Sequence, residues 1–317
     1  MTATAEAGNR GEKIRSDCHI QIKLTKKSGI RIDLTSKVKS LFGNQIVRQV
    51  HEICSYFDIS HADILIEDSG ALPFVIEARL EAAIKQIIST DRSFLLPMIR
   101  ENQYSSSKER FRLSRLYLPG NTPSMMLNAG IHKPHGIILD LEDSVPWQKK
   151  NEARYLVRNA LLQINFYGAE RMVRINQLPE GLNDLPFVVP FNPHVVLIPK
   201  CESNDMIKTV DTRVTEILEE NGLGNTVYFM PIIESCMGVE RAYEMASASD
   251  RIVAMAIGLE DYTADLGVTR TDGGTESFYA RTRLVNACKA AGIQPIDSVY
   301  SDVDNMKGLL DLSLIHI

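Results

Sequence analysis

The sequence predicts an α/β protein in two parts, a small α+β domain followed by a (β/α)8 TIM barrel that lacks its eighth strand. Two observations carry this reading. Beyond residue 113, apolar runs recur at intervals of roughly 20 to 35 residues with helical patterns between them, the alternation of a parallel sheet covered on both faces. The polar residues of these units collect where the runs end, and a barrel carries its active site on the C-terminal face of its strands.

In the first domain, 1–92, "CHIQIKL" and "IRIDL" alternate apolar and polar residues with period two. Lys27, Ser28 and Gly29 between them signal a turn, so a hairpin is expected. The period then changes: Val38, Leu41, Phe42, Ile46, Val50, Ile53, Cys54 and Phe57 recur at spacings that place them on one helical face. "DILIE" reads as a strand, "DSGA" as a turn, and Pro73 to Ile88 as a second amphipathic helix. Residues 93–112, including "RENQYSSSKERFR", are polar and without periodicity, and read as a flexible linker. In the barrel, 113–311, strands are expected at "RLYLPG", "GIILDLED", "RMVRIN", "HVVLIPK", "TVYFMPIIES", "RIVAMAIGLED" and "IDSVYSD". A doubly wound nucleotide-binding sheet would show a Gly-rich first strand–helix turn, and none is present. Leu312 to Ile317 look like the read-through of a sequencing adapter and are expected to be a non-native tail on a truncated chain.

Composition narrows the function. A net charge of −5 with no basic stripe argues against a nucleic-acid partner. No apolar stretch has the length of a signal peptide core or a membrane span, so a cytoplasmic protein is expected. The five cysteines are scattered and never form a CxxC pair, which fits reduced core thiols better than disulfides or a thiolate zinc site.

The strand ends supply the candidate chemistry: Asn121; Asp140, Glu142 and Asp143; Arg174 and Asn176; Lys200; Glu234; Glu260 and Asp261. Carboxylates gathered at a barrel mouth repel one another unless a cation neutralises them, and oxygen-only ligands suit Mg²⁺ or Mn²⁺ better than zinc. Glu234 and Asp261, after adjacent strands, are the expected metal pair. Arg174, an arginine among acids, is placed to hold a substrate carboxylate with two parallel hydrogen bonds. Asp143 and Asp265 are explained as well by a helix cap or a surface charge as by a role in the site.

At these residues the chain resembles a known family. "RLYLPGNTPSMMLNAG", "GIILDLEDSV", "VRIN", "GLEDYTADLG" and "FYARTRLVNACKAAGIQPIDSVYSDV" are similar to the citrate lyase β subunit, within the HpcH/HpaI aldolase family of Mg²⁺-dependent barrel lyases. The resemblance implies cleavage of a citryl thioester (citryl-ACP) to oxaloacetate and an acetyl thioester, in the cytoplasm. It implies Glu234 and Asp261 as Mg²⁺ ligands, Arg174 at the oxaloacetate carboxylate, and Asn121, Asp140 and Glu142 near metal and substrate. The first domain resembles the citrate lyase γ subunit, an acyl carrier protein, through "SKVKSLFGNQI" and "DSGALPFVIEARLEAA". That implies a phosphopantetheine-type group derived from dephospho-CoA, an acyl-transferring α subunit as partner, and a homo-oligomer, plausibly a trimer.

One departure concerns the carrier serine of the family motif G-T-L-E-S-x-D. Here "GEKIRSD" places Arg15 at that position when Gly11 and Asp17 are aligned, and Ser16 follows as the candidate attachment site. Ser69 in "DSGAL" reads as a turn residue. The competing readings are a malyl-CoA or citramalyl-CoA lyase acting on free thioesters, and a non-catalytic carrier or interaction protein.

Overall fold

The computed structural model describes residues 3–315 except Asp272, Ser301 and Val303, with backbone alone for 312–315; the remainder of the expected tail lies outside the described residues. In the small domain β1 (Thr4–Gly8), β2 (Cys18–Leu24), β3 (Ile30–Ser36) and β4 (Ala62–Asp68) form a sheet in the order β1-β2-β4-β3. Helices α1 (Lys39–Tyr56) and α2 (Pro73–Ile87) pack on it.

The expected hairpin is not formed. Strand β4 inserts between its arms, antiparallel to β2 from Cys18↔Asp68 to Leu24↔Ala62 and parallel to β3 from Ile30↔Ala62 to Ser36↔Asp68. Burial explains the order: β4 buries every second residue, whereas β3 buries only Leu34 and takes the edge. Alternation reports which face a side chain occupies and not which strand lies beside it. Strand β1 was not expected; Ala5 and Ala7 point inward as it pairs with β2. On α1, Leu41 and Phe42 are 78% and 49% exposed, and burial settles on Ile46, Val50, Ile53 and Cys54. Helix α2 differs from the expected amphipathic one, since every residue from Phe74 to Ile84 is buried, including Glu77, Arg79 and Glu81.

The second part alternates strands and helices: β5 (Arg115–Pro119), α3 (Pro123–Met126), β6 (Gly136–Asp140), α4 (Lys150–Gln163), β7 (Glu170–Arg174), α5 (Leu185–Val188), β8 (Val195–Ile198) and α6 (Asn204–Glu220). It continues with β9 (Tyr228–Ile233), α7 (Cys236–Glu240), α8 (Ala242–Ala246), β10 (Ala254–Ile257), α9 (Leu259–Leu266), α10 (Phe278–Ala291), β11 (Gln294–Ile296) and α11 (Met306–Ile315). The sheet order is β11-β10-β9-β8-β7-β6-β5, each strand beside its neighbour in the chain, as the strand–helix alternation requires. Strands β6, β8 and β10 are buried at every position, which is why they read as unbroken apolar runs. This is the TIM-barrel type of fold, with seven strands among the described residues.

The seventh strand lies earlier than expected. Gly292, at φ 72°, ends α10, and Gln294 at once donates to Val253 O and pairs with Ala254. Among the described residues of "IDSVYSD" only Ile296 belongs to the strand; Asp297 turns to Arg281, and Ser298 Oγ accepts the Leu259 N–H. Among the described residues no helix is long and apolar enough to cross a membrane.

By compactness the chain divides into Met1–Val196 with Thr212–Val227, and Leu197–Asp211 with Tyr228–Ile317. The small domain and β5–β7 thus belong to one unit. Within it, α4 is buried from Glu152 to Leu162 and packs against α2, so the outer face of a barrel helix, ordinarily wet, is covered. Arg158 forks onto Glu81 at 3.0 and 2.8 Å, and Asn159 donates to Phe74 O. The segment read as a flexible linker is tied down along its length. Ile99 N–H and the Asn102 amide bind the end of α4, Tyr104 Oη donates to Ala169 O, and Arg112 forks onto Glu170 in full burial.

Candidate active site

In the first unit the site is built by register. Asp140 ends β6, Arg174 ends β7, and the two are direct ladder partners. The guanidinium forks onto Asp140, with Nε 2.6 Å from Oδ1 and Nη2 2.8 Å from Oδ2. Its remaining nitrogen, Nη1, lies 2.8 Å from Glu142 Oε2, and the Tyr117 ring lies 5.3 Å from its carbon. Burial would push the Asp140 carboxyl up, but Arg174, Ser144 and the Glu142 N–H outweigh it and hold the carboxyl below its ordinary value. For Glu142 burial wins over Arg174 and the pKa is raised. Arg174 itself is raised, because Asp140 and Glu142 outweigh its own burial. Arg174, the residue expected to grip a substrate carboxylate, is thus already engaged on both sides, by Asp140 through the fork and by Glu142 at Nη1.

Asn121 lies two residues beyond β5, after Gly120, whose N–H reaches to 2.7 Å from Asp140 O; a Cβ on Gly120 would block that approach. Asn176 belongs elsewhere, bound through its backbone and side chain to the buried Asp184. Asp143 is exposed and 3.8 Å from Arg174.

The second unit explains why the apolar run "VAMAIG" stops in a burst of acids. Glu234 follows β9 and is 7% exposed. Its Oε1 fills the space that a Cβ on Gly258 would occupy, so glycine at the end of β10 is a packing requirement of Glu234. Its Oε2 accepts the Lys200 N–H at 2.9 Å. Asp261, in the first turn of α9, lies 3.3 Å from Lys200 Nζ. Lys200 thus meets both carboxylates, one through its backbone and one through its side chain, from a left-handed conformation at φ 48°. Glu260 pairs with Arg270. Asp265 accepts the Cys236 N–H at 2.7 Å and with Ser235 caps α7, the capping arrangement that was one of its two expected readings.

Lys200 stands among the strand-end candidates, but residue type alone gives it no role. Its signal is a second cation, besides Arg174, at a strand end among acids. Among the described residues no three His, Cys, Asp or Glu side chains form a ready-made metal cage. Glu234 and Asp261 nevertheless fit Mg²⁺, a hard ion that takes one or two carboxylates from a protein and fills its shell with water and substrate oxygens. The Lys200 ammonium beside Asp261 marks a place where positive charge is favoured.

Ser16 is half-buried at φ 53°, its N–H donated to Ser69 O at 3.0 Å, while Arg15 is exposed. The loop is anchored at its next residue: buried Asp17 accepts Arg79 Nε at 3.0 Å, Arg79 Nη2 at 2.9 Å and Asn9 Nδ2 at 2.9 Å.

Comparison with known proteins agrees with both halves. Residues 113–314 match the model of the HpcH/HpaI aldolase/citrate lyase family, and residues 3–87 match a model described as the malonate decarboxylase δ subunit, an acyl carrier protein. The chain is 37% identical over 214 residues to the citrate lyase β subunit of Leuconostoc mesenteroides subsp. cremoris, covering 66% of this chain and 71% of that one. It is 28% identical to the mitochondrial citramalyl-CoA lyase of Homo sapiens, covering 76% of this chain and 75% of that one. Among solved structures it is similar to the protein CitE of Mycobacterium tuberculosis in complex with magnesium and pyruvate, at a TM-score of 0.53 and 25% identity over 64% of this chain and 81% of that one.

Proposed function

The chain belongs to the HpcH/HpaI aldolase/citrate lyase family and is a carbon–carbon lyase, and we propose that its reaction is Mg²⁺-dependent cleavage of a citryl thioester to oxaloacetate and an acetyl thioester. The single observation that supports this substrate is that a carrier-type domain is packed against the first strands and helices of the lyase fold in one compact unit. In the reaction the citryl C3 hydroxyl loses its proton, the bond from C3 to the thioester-bearing arm breaks, and C3 becomes the ketone of oxaloacetate. The bonding pair stays on the acetyl carbon, which takes up a proton.

The residues divide this work. Glu234 and Asp261 would hold Mg²⁺, with Lys200 and Gly258 fixing the geometry of the pair. When bound, that ion supplies the positive charge that stabilises the oxygen developing on C3. Arg174, steadied by Asp140, would hold a carboxylate of the oxaloacetate half, with Glu142 and Asn121 bordering it. Ser16 would carry the thioester arm, and an acyl-transferring subunit would reload it. Arg15 in the usual place of the carrier serine favours a second reading, a lyase acting on free CoA thioesters.

The test is oxaloacetate release from a citryl thioester. Glu234→Gln and Asp261→Asn should each abolish Mg²⁺-dependent release while circular dichroism stays unchanged; release that survives both changes, or a chelator, overturns the assignment. Intact mass of the native protein, and loss of added mass in Ser16→Ala, separates the tethered from the free substrate.

A further inference from the structure

We propose that the carrier-like domain serves the lyase half from a fixed dock, and that Asn9, Asp17 and Arg79 position the attachment loop beside the first barrel strand, so that the arm moves and the domain does not. This rests on the proposed function for its chemistry and on the first unit for its geometry.

The seam has the character of a protein interior. Gly8 N–H donates to Glu152 Oε2 at 2.9 Å, Lys149 Nζ donates to Gly8 O at 2.9 Å, and Arg79 lies 3.4 Å from Glu152. With the buried Arg158–Glu81 fork, Glu81 and one side of Arg79 are met by charges of α4 and not by solvent. Charges desolvated in this way are paired only while the helices touch, and leaving one unpaired in a dry seam is strongly unfavourable. The connection between the halves has no slack either, because the segment from Ile99 to Arg112 is bonded to α4 and to Glu170.

The dock also aims the loop. Arg79 Nη2, which holds Asp17, donates to Asn121 O at 3.1 Å, and Asn9 Nδ2, which holds the same carboxylate, donates to Asn121 O at 3.2 Å. Asn121 follows Gly120, which binds Asp140 O, and Asp140 holds Arg174. A relay of hydrogen bonds thus joins the residue after Ser16 to the arginine at the end of β7. An acyl-exchanging partner has to come to this docked assembly.

Two measurements test the proposal. Nitroxides at Lys27→Cys and Tyr167→Cys, in a Cys236→Ser background, should give one narrow distance distribution; a broad or double distribution overturns the dock, whatever the chain catalyses. Asn9→Ala, which removes the hydrogen bonds to Asp17 and to Asn121 O, should slow turnover of the tethered substrate by about threefold to tenfold and leave a free citryl-CoA thioester unaffected. Equal effects on both substrates, or none, overturn the positioning role. A wild type inactive on both thioesters refutes the proposed function, and the distance distribution then decides the dock alone.

Discussion

Raising the pH from 5 to 9 should destabilise this protein through Glu77. The residue lies on α2 with no exposed surface, and neither carboxylate oxygen makes a hydrogen bond of good geometry. Burial pushes its pKa up to about 8, and Glu81 one turn away adds to the rise; Arg158, the Leu96 N–H and the Asn159 amide favour the charge and only partly offset it. Because the native pKa exceeds the ordinary value of 4.5, the native state keeps a proton that the unfolded chain releases between about pH 4.5 and 8. Stability from this group is fully present below that window, falls through it, and is level above it. The ceiling is the pKa difference, about 3.5 units at about 1.4 kcal/mol each, or about 5 kcal/mol; relaxation and water entry reduce it. Urea unfolding of wild type and Glu77→Gln at half-unit steps of pH isolates the effect, since every other titration is shared. The stability of the Gln variant relative to wild type should grow by several kcal/mol up to pH 8 and then stay constant. A pH-independent difference would show that Glu77 is solvated or paired and would refute the reasoning.

Arg174→Lys keeps the charge but cannot fork onto Asp140 while also reaching Glu142, so cleavage should fall at least about tenfold with little change in urea midpoint. Gly258→Ala should displace Glu234 and raise the Mg²⁺ concentration needed for half-maximal activity, read by titrating the metal; an unchanged titration would mean that Glu234 is not a ligand. Glu81→Gln leaves Arg158 half-paired in the seam and should cost about 3–5 kcal/mol in urea unfolding, whereas replacing Glu81 and Arg158 together by Met should recover most of it.

How far the sequence carries depends on what kind of interaction decides each feature. The barrel strands were legible because a strand buried on both faces leaves an apolar run, and β6, β8 and β10 are such strands. The site was legible as residue types at strand ends, because that position is fixed by the fold. Its pairing was not. That Arg174 is already bound to Asp140 and Glu142 follows from a ladder register, and that Glu234 needs Gly258 follows from a contact between neighbouring strands. The part played by Lys200, named among the strand ends, was hidden for the same reason, since its contact with Glu234 runs through a backbone N–H that any residue could supply.

The seam between α2 and α4 marks the sharper limit. Charged residues on a helix read as a wet face, and Glu77, Arg79 and Glu81 gave α2 an amphipathic pattern. Charges are nevertheless buried where complementary ones meet them, and Arg158, Asn159 and Lys149 arrive from a helix that is read as the outside of a barrel. Each helix alone looks solvated, and only the two together show that neither is. The same residues make the small domain part of the lyase unit: Arg79 spends its guanidinium on Asp17 within the carrier-like domain and on Asn121 and Glu152 beyond it. Removing Arg79 would therefore loosen the attachment loop and an ion pair of the seam at once, whereas Asn9→Ala, which removes neutral-donor hydrogen bonds to Asp17 and Asn121 O, leaves the buried ion pairs of the dock in place.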